Sequence, residues 1–136
     1  RIGPMAALAT LGEMNRQKSW ETLPKAGAAM KKIWRDAFSE HGLEFSITGL
    51  DALPSFILQY GHWPVLKTLI TQEILDRGYL STGAFYPSIL HSDSHLEDYG
   101  KVFAEVISVV SANLEPESAV ALLRGPAADI GFKRLN

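Results

Sequence analysis

Residues 43–60, LEFSITGLDALPSFILQY, decide the fold, because here the apolar spacing changes from helical to strand-like. Phe45 and Ile47 alternate with polar residues, which is the pattern of a strand with one buried face. Turn-forming residues at 49–54 precede a second apolar run of strand length at 55–60. We therefore expect two strands joined by a short loop.

Helical patterns flank these strands on both sides. Apolar residues recur about every 3.6 residues in four segments, with a shorter helix after them: 4–18, 23–38, 64–77, 96–110 and 115–123. A tight connection at 19–22 is expected between the first two helices, and 79–80 and 85–90 are further strand candidates. Strands gathered between helices, with few strand-helix alternations, predict an α+β fold with a small, mainly antiparallel sheet.

The start of the fourth helix has two candidate N-caps. Ser92 and Ser94 both precede the apolar stripe, and each can accept a hydrogen bond from the first turn. Ser94 with Glu97 would form a capping box. The sequence leaves this choice open.

Composition limits the class of protein. The chain has 136 residues, 46% of them apolar and 21% charged, which predicts one domain spanning residues 1–136. A net charge of −2 offers no positive field for nucleic acid, and no apolar run is long enough for a membrane helix. The chain has no cysteine, which excludes thiol chemistry and suits a reducing, cytoplasmic location.

The search for catalytic motifs in the sequence finds none. His91 and His95 have the spacing of two metal ligands, with His62 as a third, but His91 precedes the expected helix and no HExxH motif is present. No serine lies in a GxSxG turn, and no glycine-rich phosphate loop occurs. The lysines lie among other charges or in the tail. No catalytic, cofactor-binding or metal-binding residue is therefore assigned.

Several short motifs occur in an order that spans nearly the whole chain. Gly3-Pro4 opens an Ala-rich run that ends in Ala9-Thr10-Leu11, and further motifs follow: Trp20-Glu21-x-Leu23, Glu40-His41-Gly42-Leu43, Arg77-Gly78-Tyr79-Leu80 and Leu90-His91-Ser92. Together they resemble the C-terminal small domain of class III pyridoxal-phosphate (PLP) aminotransferases, and within that family the glutamate-1-semialdehyde aminomutase branch.

The resemblance implies the small domain of a longer fold-type-I enzyme. Residues 1–18 would be the helix that connects it to a preceding large domain, and 127–136 a tail. The parent enzyme would use PLP to transfer an amino group on a small amino or keto substrate, and would be a homodimer. The family's cofactor lysine precedes the segment matching Gly3-Pro4. The isolated chain is therefore expected to be inactive.

The loop after Gly78 departs from the aminomutase branch. It is shorter than in that branch and lacks its acidic element. With the tail motifs at 123–126 and 131–135, it resembles aminomutase-related aminotransferases of polysaccharide or sugar biosynthesis. If the loop follows the family's path, four side chains face the substrate: Ser81, Thr82, Tyr86 and Ser88. Ordinary strand and turn roles are the alternative.

A second class of function remains open, namely a free-standing α+β interaction or regulatory module. Such a module predicts a closed surface, that is, one without a large exposed apolar patch. A domain that packs on a neighbour predicts instead an exposed apolar patch, near the first helix and 85–90.

Overall fold

The structure, a computed structural model, describes residues 2–129. In this range the chain forms five helices and one two-stranded sheet, in the order α1 (Ile2–Gln17), α2 (Ser19–Glu40), β1 (Phe45–Thr48), β2 (Ser55–Leu58), α3 (Trp63–Asp76), α4 (Asp93–Ser111) and α5 (Pro116–Leu122). The predicted α+β class is confirmed. The tail motif at 131–135, and most of the predicted tail at 127–136, lie outside the described residues.

The sheet consists of the two strands that the alternating pattern predicted. β1 and β2 pair antiparallel, with Phe45 opposite Leu58 and Ile47 opposite Phe56. Phe56 and Leu58 are almost fully buried, so the buried side chains of β2 lie on one face of the sheet. The sheet thereby forms one side of the hydrophobic core.

The strands predicted at 79–80 and 85–90 are wrong. Only one isolated bridge forms in this region, between Ala84 and Ser55. Gly83 has φ +84°, a conformation that interrupts an extended strand, and Pro87 has no N–H to donate to a neighbouring strand. The segment between α3 and α4 is therefore a loop, held to β2 by the hydrogen bond from Phe56 N to Gly83 O at 2.9 Å.

The predicted connection at 19–22 is also wrong, because α2 begins at Ser19. A single left-handed residue, Lys18, separates the two helices at φ 48° and ψ 46°. Pro24 lies inside α2, in its second turn. Because Pro24 has no N–H, the carbonyl of Trp20 lacks the donor that a helix normally supplies four residues later, and α2 nevertheless continues to Glu40.

An aromatic cluster occupies the centre of the core. Phe38 of α2 packs edge-on against Phe56 of β2 at 5.0 Å between ring centroids, and Phe56 packs against Phe103 of α4 at 5.7 Å. Trp34 lies 4.9 Å from Phe56 in the same arrangement. These contacts hold α2, the sheet and α4 together, and they fix the start of α4 beside the middle of α2.

The N-terminus of α4 is capped by Ser92. Its hydroxyl accepts a hydrogen bond from His95 N, and its own N–H donates to His95 Nδ1, both at 3.3 Å. This is a capping box with histidine in the place of the usual glutamate or glutamine. The structure thus resolves the choice between Ser92 and Ser94, and the Ser94–Glu97 box does not form.

Helix α1 contributes no buried residue to the core. Its apolar side chains remain exposed, including Ile2 at 88%, Met5 and Leu8 at 65% and Leu11 at 61%. Within residues 2–129, the helix therefore presents apolar side chains that remain largely exposed. Even so, none of the helices described has the length and hydropathy needed to span a bilayer.

Candidate functional site

A pocket of about 560 Å³ lies between the middle of α2, the loop after α3 and the start of α4. Met30 and Trp34 form its α2 wall, and Leu96 and Tyr99 form its α4 wall. Most of the loop 79–86 closes the remaining side. Its volume falls in the range of small-molecule sites, which is about 300–1,000 Å³.

Three of the four predicted substrate-side residues line this pocket, namely Ser81, Thr82 and Tyr86. Ser81 is half-buried, whereas Thr82 and Tyr86 are exposed. Ser88 is elsewhere: it lines a second, shallower pocket between the loop and α1. Its N–H donates to His91 Nδ1 at 2.9 Å, which is a role in shaping the loop. Contact with a substrate stays a prediction for all four.

Two polar groups in the wall were not predicted as site residues. The hydroxyl of Tyr99 lies 3.5 Å from Ser81 Oγ. The indole N–H of Trp34 is fully buried and has no hydrogen-bond partner among the described residues. Both side chains belong to apolar stripes that a core explains. The sequence could have indicated them by their chemistry, because a tyrosine or tryptophan in an apolar stripe carries a hydrogen-bond donor that needs an acceptor.

Tyr99 keeps its proton at neutral pH. Burial raises the pKa of the Tyr99 hydroxyl, and the nearby Ser81 hydroxyl and Trp34 indole offset this only in part. The group is therefore a protonated hydroxyl in the wall, beside the buried indole of Trp34.

The pocket wall lacks a cation. No lysine or arginine is among its described lining residues, and its carboxylate, Asp98, is paired with Lys101 at 2.9 Å. His91 and His95 also line it, but the Nδ1 atom of each is engaged by backbone groups. The rest of the described lining combines the hydroxyls of Ser81, Thr82 and three tyrosines with apolar side chains.

The histidines do not assemble into a metal site. His62 lies at the start of α3, and its Nε2 is 2.7 Å from the carbonyl oxygen of Leu114. Across residues 2–129, no group of three His, Asp or Glu side chains is arranged to hold a metal ion.

A second pocket, of about 300 Å³, has a lining that includes Met14 of α1 and Pro87 and Ile89 of the loop. Large apolar side chains are exposed on α1 and on this loop, and we call them together the α1–loop face: Ile2, Met5, Leu8, Leu11, Met14, Tyr86, Ile89 and Leu90. Exposed apolar residues of this kind, in the part of the chain that the structure describes, are what a domain that packs on a neighbour predicts.

Comparisons with known proteins identify the fold. No protein-family profile and no curated protein matches the chain. Among solved structures, a transaminase with PLP bound superposes with a TM-score of 0.63 at 20% identity, over 68% of this chain. The fold of the present chain therefore occurs within a PLP-bound transaminase. FumI of Sphingopyxis sp. MTA144, in its PLP internal aldimine form, superposes with a TM-score of 0.61 at 20% identity, over 69% of this chain.

The chain spans 23% of the length of each of these two proteins. The described lining of the pocket does not by itself fit PLP. The cofactor requires a lysine for its aldehyde and donors or cations for its phosphate, and neither a lysine nor an arginine lines the pocket. Lys31, the half-buried lysine of α2, is instead bound to Asp51 and to the carbonyl of Gly49.

Proposed function

We propose that this chain is the small domain of a PLP-dependent class III aminotransferase. It supplies one wall of an active site whose cofactor and lysine lie in another part of the protein. The observation that carries the proposal is the structural match, which covers 68% of this chain but 23% of a PLP-bound transaminase. The motif order from Gly3-Pro4 to Leu90-His91-Ser92 supports the same family.

In this proposal the whole of 1–136 is one domain, and α1 connects it to the large domain. The exposure of α1 supports this role, because the helix adds nothing to the core of its own domain. An isolated helix of 16 residues gains little stability in water without tertiary packing. The α1–loop face would be covered by the large domain or by the second subunit of a homodimer.

The pocket forms the substrate side of the site. Ser81, Thr82, Tyr86 and Ser88 would contact a small amino or keto substrate. The first three line the pocket, and Ser88 N donates to His91 Nδ1 within the same loop. PLP, when bound, would supply the aldehyde that carries the amino group and the ring that takes up the electron pair during transfer. Within the family, we assign the protein to the aminomutase-like branch and to the cytoplasm. The amino group would either pass to a second substrate or shift within one substrate. The short loop after Gly78 favours an enzyme of polysaccharide or sugar biosynthesis.

The test is to express the complete native reading frame that contains this chain. Borohydride reduction followed by peptide mass spectrometry should locate a phosphopyridoxyl-lysine outside residues 1–136. The protein should transfer an amino group from an amine donor to a keto acid, whereas the 136-residue chain with added PLP should not.

Two results would overturn the proposal. The first is amino transfer by the 136-residue chain alone. The second is a complete protein that binds no PLP, and this second result would support the interaction or regulatory module instead.

A further inference from the structure

The loop side of the pocket carries hydroxyl groups that other side chains leave free. Within residues 2–129, the side-chain hydrogen bonds of the loop are made by Ser81, Ser88 and His91. The hydroxyls of Thr82 and Tyr86 have no such bond, and both side chains are exposed and line the pocket. Each hydroxyl donates one hydrogen bond and accepts others. A ligand in the pocket therefore meets groups that accept and donate without carrying charge.

His91 adds a third uncharged group to this wall. Its Nδ1 accepts a hydrogen bond from Ser88 N at 2.9 Å, so the ring proton lies on Nε2. The imidazole is half-buried and packs against Phe85, with 4.9 Å between the ring centroids. These two contacts fix the ring and leave the Nε2–H for an acceptor outside residues 2–129.

Flat apolar surface lies beside these polar groups. Phe85 is half-buried in the lining, and the ring of Tyr86 is 70% exposed. No lysine or arginine belongs to the described lining, and the carboxylate of Asp98 is paired with Lys101. The wall therefore combines uncharged hydrogen-bonding groups with aromatic faces.

A sugar ring has the same two kinds of surface. Its C–H groups form an apolar face that packs on an aromatic ring, and its edge carries hydroxyls that donate and accept. A purely apolar ring would remove water from the polar groups of the wall without replacing their hydrogen bonds. A carboxylate would lose its hydration without gaining an ion pair.

We propose, building on the proposed function, that this pocket holds an uncharged sugar ring that is part of the substrate. The hydroxyls of Thr82 and Tyr86 and the Nε2–H of His91 bind the ring hydroxyls. The aromatic side chains of the loop, Phe85 and Tyr86, pack on the apolar face of the ring. A ring that bears a carboxylate is disfavoured.

The test uses the complete protein from its native reading frame, with no PLP added, and measures affinities by saturation-transfer difference NMR. Methyl glucoside and methyl galactoside carry the hydroxylated ring. Methyl glucuronide adds a carboxylate to it, and methoxycyclohexane keeps the ring size and the methoxy group but has no hydroxyl. The tighter of the two glycosides should bind at least about 5-fold more strongly than either of the other probes, as expected from a neutral hydrogen bond.

Two variants remove single hydroxyls and keep the shape of the wall. Thr82→Val and Tyr86→Phe should each weaken glycoside binding about 5-fold and leave methoxycyclohexane binding unchanged. Both positions are exposed, so both variants are expected to fold. Tyr60→Phe is the control, because the Tyr60 hydroxyl accepts from Glu44 N outside the pocket. It should change neither affinity.

Three results would overturn the inference. They are the absence of saturable binding for both glycosides, equally tight binding of methyl glucuronide or methoxycyclohexane, and glycoside affinities that neither Thr82→Val nor Tyr86→Phe lowers. The measurement contains no PLP. It therefore tests the ligand class alone, whereas the phosphopyridoxyl-lysine adduct tests the domain assignment alone.

Discussion

The carbonyl oxygen of Asp51 packs so closely on α2 that a Cβ at Gly27 would lie 1.6 Å from it. Glycine alone permits this approach of the β1–β2 loop to the helix. One turn further along α2, Lys31 reaches the same loop, with its Nζ 2.8 Å from both Gly49 O and Asp51 Oδ1. These contacts fix the start of β2, and β2 in turn holds the loop that lines the pocket.

Gly27→Ala should therefore lower the free energy of unfolding, because the loop must move to admit the methyl group. We expect a loss of about 1–3 kcal/mol, typical of overpacking, in urea denaturation. Gly100→Ala in α4 is the control: its Cβ would meet Ile33 at an ordinary 3.5 Å. That variant should gain about 0.5–1 kcal/mol from helix propensity. Equal effects of the two changes would contradict the close contact.

The capping box predicts different effects for two neighbouring serines. Ser92→Ala removes the acceptor for His95 N and should cost about 1 kcal/mol of unfolding free energy. Ser94→Ala removes only a hydroxyl contact to Ser92 and should stay within about 0.5 kcal/mol of wild type. Thermal unfolding of both variants decides between the two N-caps. A larger loss for Ser94→Ala would place the cap at residue 94.

The exposure of α1 predicts that its leucines contribute little to the stability of this chain. Leu8→Ala should change the free energy of unfolding by less than about 0.5 kcal/mol. Leu69→Ala, at a position with no exposed surface, should cost about 2–5 kcal/mol. Chemical denaturation of the two variants provides the comparison. Losses of similar size would show that α1 packs against the core.

The pair of Glu73 and Arg77 predicts a pH dependence of stability. The hydrogen bond from Arg77 Nη1, at 2.9 Å, lowers the pKa of Glu73 below its ordinary 4.5. The folded state thus favours the carboxylate, and its stabilisation is present above pH 4.5 and disappears as the pH falls through the lowered pKa.

Glu73→Gln should therefore lose about 0.5 kcal/mol at pH 7, and the difference from wild type should shrink in acid. Glu44→Gln removes a carboxylate without an ion pair in residues 2–129 and should follow the wild-type pH profile. Urea melts at several pH values measure both. A difference for Glu73→Gln that grows as the pH falls would contradict the sign of the shift.

Much of the fold follows from local spacing in the sequence. The helical repeat places α3 within one residue of its observed bounds, and the alternation of Phe45 and Ile47 locates β1. Both patterns depend on which side chains share one face of one element, and the chain encodes this directly. Their order predicts the α+β class.

The predictions failed where the outcome depends on a neighbouring segment. The segment 85–90 has strand-like apolar residues, but an extended run becomes a strand only beside a partner edge, and β2 offers it a single bridge at Ala84. The choice of Ser92 over Ser94 depends on backbone geometry at the entry to α4.

The sequence by itself determined the number and order of the helices and the two strands. The tertiary structure alone decided that Trp34 of α2 meets Tyr99 of α4 in the pocket wall. These two residues are far apart in the chain, and each looks like an ordinary core residue in its own helix. Their polar atoms become a pair only when the aromatic core brings α2 and α4 together.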